Sequence, residues 1–130
     1  MSELEEFLAI GKCTDTQEEV TVKIEGKDFV LKIRAMSATE HKDWQNMAMV
    51  IGKKGSVSFN LGKYNSYMIP ACIVEPNFNN ADFLAKANCH SAWEFISERF
   101  PAGVIEDLSK KIQELSGFDS LEVQVDEAKN

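Results

Sequence analysis

No stretch of the 130-residue chain approaches the ~20 consecutive apolar residues of a membrane-spanning helix. The first ten residues, MSELEEFLAI, hold three glutamates where a secretory signal would hold basic residues. A cytoplasmic protein is expected. Cysteine is scarce: Cys13, Cys72 and Cys89 are odd in number and lack Cys-x-x-Cys spacing, so neither a disulfide framework nor a zinc knuckle is signalled. Histidine is scarcer still, with only His41 and His90. No metal-ligand ladder can be assembled from them, and neither a metal nor a cofactor is expected.

Cations are also lacking where a nucleic-acid binder would need them. The net charge is −7, and its acids collect at the two ends: residues 1–19 carry −5, residues 119–130 carry −3, and the body between them carries +1. A phosphate backbone requires a surplus of Lys and Arg, so nucleic acid is not an expected partner.

What is present is the composition of a soluble globular protein, 44% hydrophobic and 27% charged. The length allows one domain with a single core. Ser2 and Glu5 form a capping-box pattern opening a short helix with Leu4, Phe7 and Leu8 on one face. The polar run GKCTDTQEE follows as a linker. VTVKIEGKDFVLKIRA then alternates with period two around a turn containing Gly26, so Val20, Val22, Ile24, Phe29, Leu31 and Ile33 face one way. Lys23, Lys32 and Arg34 face the other, as a basic outer face of a β-hairpin.

Beyond the hairpin the period lengthens to between three and four. Ser37 with Glu40 caps a helix whose stripe of Trp44, Met47, Ala48 and Ile51 ends at Gly52, and KKGSVS reads as a loop. A third helix starts at Asn60 or Leu61 and runs through Tyr64, Met68 and Cys72, with Pro70 either kinking it or occupying its first turn. The stretch CIVEPNFNNADF breaks the pattern. Pro76 restricts Glu75 to extended backbone, so the helix ends near Val74, and Asn79 or Asn80 caps the next one. Ser91 with Glu94 opens a helix ended by Pro101. The last helix spans about Gly103 to Ser116, with Gly117 and Phe118 as a left-handed cap. The fold class is therefore α+β, a mostly helical single domain over residues 1–118 with one N-terminal β-hairpin, followed by an acidic, flexible tail over 119–130.

The candidate chemical sites are weak. Cys89 and His90 point apart on a helix, whereas a thiol nucleophile needs its base within hydrogen-bond reach. Glu18–Glu19 and Glu106–Asp107 stand in a linker and in a helix first turn, where solvent and the helix dipole account for them. GKKGS lacks the complete glycine-rich phosphate loop. An enzyme is not expected. The stronger candidates are binding surfaces: Leu4, Phe7 and Leu8 on a short, weakly held helix, and Lys23, Lys32 and Arg34 as a docking edge for an acidic partner.

In their order and spacing, the hairpin leading into IRAMSATEH, the segment ACIVEPNFNNADF and the closing IEDLSKKIQELSGFD resemble the XkdN-like phage tail assembly chaperones, over roughly Glu3 to Asp119. Pro70 and the Asn88–His90 stretch depart from that pattern. The resemblance implies a non-catalytic protein of the bacterial host cytoplasm, absent from the mature virion. Its implied partners are the tape measure protein, kept soluble during tube assembly, and the tail tube protein. The alternative is a structural tail or connector subunit retained in the particle. The resemblance also implies a longer frameshifted product. Ala128–Lys129–Asn130 can be encoded by a slippery heptamer, and Leu121–Asn130 would then be a linker. On this reading EPNFNN is a hinge reversing the chain, with Glu75 and Asn77 in turn hydrogen bonds and Phe78 as its apolar pin.

Overall fold

A computed structural model describes residues 2–118. The acidic tail and the frameshift reading lie outside the described residues.

The hairpin forms as its alternation dictates. Strands β1 (Gln17–Ile24) and β2 (Lys27–Arg34) pair antiparallel, with Val20 opposite Leu31 and Val22 opposite Phe29. The connection is the two-residue turn Glu25–Gly26, both at positive φ (53° and 78°), which matches the twist of the flanking strands. Val20, Val22, Leu31 and Ile33 are buried. Phe29 departs from expectation and stays 47% exposed, on the part of β2 where β5 does not pair. A third short strand, β5 (Ile73–Glu75), pairs antiparallel with β2 at Lys32 and Ile33 and completes the order β1-β2-β5.

Helices cover the inner face of this sheet. Helix α3 (Leu61–Cys72) contributes Tyr64, Asn65, Met68, Ile69 and Cys72, a stripe at helical spacing. Ile96 of α5 (Ala92–Arg99) and Leu108 and Ile112 of α6 (Ala102–Leu115) close the core. Asn60 caps α3 through its Oδ1, which accepts from the Lys63 N–H at 2.9 Å. Pro70 does not delay the helix start; it lies inside α3, in its last turn.

The EPNFNN segment reverses the chain as expected, by a somewhat different route. The helix stops at Cys72, earlier than Val74, because Ile73–Glu75 are drawn into the sheet. Asn77 makes the turn, its Oδ1 accepting from Asn79 N–H at 3.0 Å and its carbonyl from Asn80 N–H at 3.2 Å. Glu75 instead faces Lys32, at 3.9 Å. Asn80 caps α4 (Ala81–Ala87). Phe78 is the pin, stacked on Phe95 at 5.6 Å and within 6.0 Å of Phe83 and Phe100.

The Ser91 capping box is shifted: Ser91 Oγ accepts from Glu94 N–H, but the Glu94 carboxylate accepts from His90 N–H. At the end of α6 the left-handed cap is complete. Gly117 has φ +95°, its N–H donates to Glu114 O, and Phe118 N–H donates to Gln113 O.

The largest correction concerns residues 48–59. Helix α2 (Ala38–Met47) ends four residues before Ile51. Met49–Ile51 (β3) and Val57–Phe59 (β4) form a second hairpin, closed by a turn in which Gly52 N–H donates to Ser56 O at 2.6 Å and Lys54 and Gly55 adopt positive φ. Met-Val-Ile and Val-Ser-Phe alternate with β-branched and aromatic residues around GKKG, a strand signal hidden behind a plausible helical stripe.

Candidate partner interface

The second hairpin carries the most exposed apolar surface of the folded body. Met49 pairs with Phe59 and Ile51 with Val57, so these four side chains share one face of the ribbon. They are 41%, 45%, 77% and 58% exposed, and Met47 and Leu61 extend the surface at either end. A two-stranded ribbon is marginal by itself. This one is anchored by Ala48, fully buried, whose carbonyl accepts from Asn60 N–H at 2.9 Å. It is thus held in place while its apolar face stays in water, an arrangement that marks interaction sites on monomeric proteins.

The base of the ribbon forms one wall of a cleft of about 680 Å³. Phe59, Leu61 and Tyr64 line one side, Glu106, Asp107, Lys110 and Gln113 of α6 the other, and His41 and Phe118 one end. Its floor is rigid. Ser109 Oγ donates to Asn65 Oδ1 at 3.0 Å and accepts from Gln113 Nε2 at 3.0 Å, leaving the buried Asn65 satisfied. The Tyr64 hydroxyl lies 2.6 Å from His41 Nδ1, and burial pushes its pKa up to about 12, so it stays protonated. One apolar wall facing one charged wall suits an amphipathic helix.

The sequence-derived candidates are distributed differently. Leu4, Phe7 and Leu8 are 77%, 66% and 84% exposed on α1 (Glu3–Leu8), which buries none of its residues. The three cations are not brought together as a basic patch. Arg34 is committed to Glu40 by two hydrogen bonds of 2.9 and 2.8 Å. The pairing holds the Arg34 guanidinium pKa up through Glu40, and the Glu40 carboxyl down through Arg34. Lys32 stands opposite Glu19 and near Glu75, and Lys23 opposite Asp28. Cys72 is fully buried, and its thiol is pushed up to about 12 by that burial. Burial also raises the Cys89 pKa, reinforced by Glu94 and Glu98, which is the reverse of what a nucleophile requires. Among the described residues, no group of three or more His, Cys, Asp or Glu is placed to hold a metal ion. No helix among them is long and apolar enough to cross a membrane.

Residues 4–129 match the family model of the phage XkdN-like tail assembly chaperone protein. The chain belongs to that family. The match extends through the acidic end, ten residues beyond the limit read from the motifs, so this tail assembly chaperone shares its terminal segment with its family. No curated protein matches it. Among solved structures, the chaperone is similar to the crystal structure of the protein YqbN, at 15% identity and a TM-score of 0.56 over 79% of this chain and 87% of that one. At that identity the likeness speaks for the fold.

Proposed function

We propose that this tail assembly chaperone is a binding protein, not an enzyme, that holds amphipathic helical segments of the tape measure protein and keeps them soluble while tube subunits assemble. The observation that carries this reading is the apolar ribbon of Met49, Ile51, Val57 and Phe59 beside the amphipathic cleft along α6. An exposed apolar face of this kind gains most by covering the apolar stripe of another helix. Glu106, Asp107 and Lys110 would meet the polar flank of that helix and set its register. Leu4, Phe7 and Leu8 are available to a further partner, whereas Arg34 is occupied internally. Lys23 and Lys32 remain at the outer face as weaker contacts for an acidic partner, such as a tail tube subunit.

The place of action would be the bacterial host cytoplasm, before the tail is complete. Co-expression with the tape measure protein should raise its soluble yield and allow the two to co-purify. Mass spectrometry of purified virions should then find this chain absent. Its presence there in stoichiometric amount would instead support a structural subunit retained in the particle.

A further inference from the structure

Two more apolar surfaces lie open on the chain, far from the ribbon in sequence. The first is the N-terminal arm. Leu4, Phe7, Leu8 and Ile10 are all at least 66% exposed, and the charges of α1 are the acids Glu3, Glu5 and Glu6. The second is a groove of about 330 Å³ between β2 and the α4–α5 layer, walled by Phe29, Val30, Phe78, Phe83 and Phe95. It opens because β5 pairs only with Lys32 and Ile33, leaving Lys27–Leu31 without a strand neighbour on that side. Arg99 is the one charged side chain of the lining. Its guanidinium lies over the Phe95 ring at 5.2 Å, and neither ion pair among the described residues involves it.

We propose that this groove receives α1 of a second copy of the chain, so that two copies exchange their arms. The chemistry is complementary: large apolar side chains enter an apolar groove, and three glutamates approach an Arg99 that forms no ion pair among the described residues. A volume of about 330 Å³ lies at the lower end of the range for binding pockets and suits a short helix rather than a long one. In its own copy the arm does not line the groove, and Leu4, Phe7, Leu8 and Ile10 all stay exposed, so the groove is open to the arm of a neighbouring copy. Reciprocal exchange uses each surface twice and closes the assembly as a twofold dimer.

The contact is small, so the dimer should be weak and dependent on concentration. Sedimentation equilibrium of the full chain over a wide concentration range should show monomer and dimer in exchange. Phe7→Glu, on an exposed arm residue, should abolish the dimer. Arg99→Glu should weaken it at least about 10-fold, and Glu3→Lys with Glu6→Lys in the same chain should restore it. A photo-crosslinker at position 7 should join two chains and map to residues 76–100. A monomer at all concentrations, a dimer indifferent to Phe7→Glu and Arg99→Glu, or a crosslink within a single chain would each overturn the proposal. Ile51→Glu tests independence from the tape measure reading: it lies on the ribbon and should leave the dimer unchanged.

Discussion

Met49 stands directly opposite Phe59 in the second hairpin, and both side chains remain about half exposed in a folded domain. Ile51 and Val57 repeat the arrangement one step further out. Such a surface contributes little to the fold. Ile51→Glu and Val57→Glu should each change the unfolding free energy by less than about 0.5 kcal/mol, as surface substitutions do. The same changes should reduce binding of a hydrophobic dye. Urea denaturation and dye fluorescence on the two variants check this. A loss of several kcal/mol would mean that the ribbon is structural.

The Arg34–Glu40 pair predicts a pH dependence. Glu40 also completes the capping box of α2, its Oε1 accepting from Ser37 N–H at 3.1 Å. Arg34 holds the carboxyl below its ordinary value of 4.5, so the stabilisation is present at neutral pH and is lost as the pH falls from 4.5 through the depressed folded value. Glu40→Gln should therefore cost about 1–2 kcal/mol at pH 7, the range of a charge-assisted hydrogen bond discounted for partial exposure. The difference from the unaltered chain should shrink as the pH is lowered past 4.5. Denaturation at several pH values measures it, and a constant difference would refute the assignment.

Phe78 is predicted to hold the chain reversal in place. It joins Phe83, Phe95 and Phe100 across three segments, so Phe78→Ala should cost about 2–4 kcal/mol through lost burial and the cavity left behind. By contrast, Asn79→Ala should be nearly neutral, because Asn80 supplies the cap of α4. Thermal unfolding of the two variants separates a hydrophobic pin from a merely polar turn.

The arm should exchange its amide protons freely in dilute solution. α1 has six residues, buries none of them, and lies below the length at which an isolated helix is stable. Its amides should be orders of magnitude less protected than those of α3, whose Met68 and Ile69 are fully buried. Hydrogen exchange at low concentration reads this directly. Equal protection of residues 3–8 and 64–72 would show the arm docked on its own body.

Much of the fold was legible because local signals agreed with tertiary packing. The hairpin at Val20–Ile33, the cap at Ser37, a cap at Asn79 or Asn80 that the structure places at Asn80, and the Gly117 stop each rest on short-range chemistry visible in the residues. Residues 48–59 were misread because Met47, Ala48 and Ile51 fit a helical stripe as well as a strand, and no local rule decides between the two. The candidate interface was missed with them. Charge partners were also invisible: Lys32 and Arg34 share a face by alternation, but only the folded chain brings Glu75 to one and Glu40 to the other. The exposure of Leu4, Phe7 and Leu8 was foreseeable from how little area so short a helix can bury.

The proposed binding of the tape measure protein by the ribbon can be measured by co-expression. The tape measure protein is co-expressed with either the unaltered chain or the Ile51→Glu, Val57→Glu double variant, and its soluble fraction and co-purification are quantified. The unaltered chain should keep the tape measure protein soluble, and the double variant, equally well folded, should lose at least about 10-fold in recovered complex. Recovery unchanged by the double variant would contradict it.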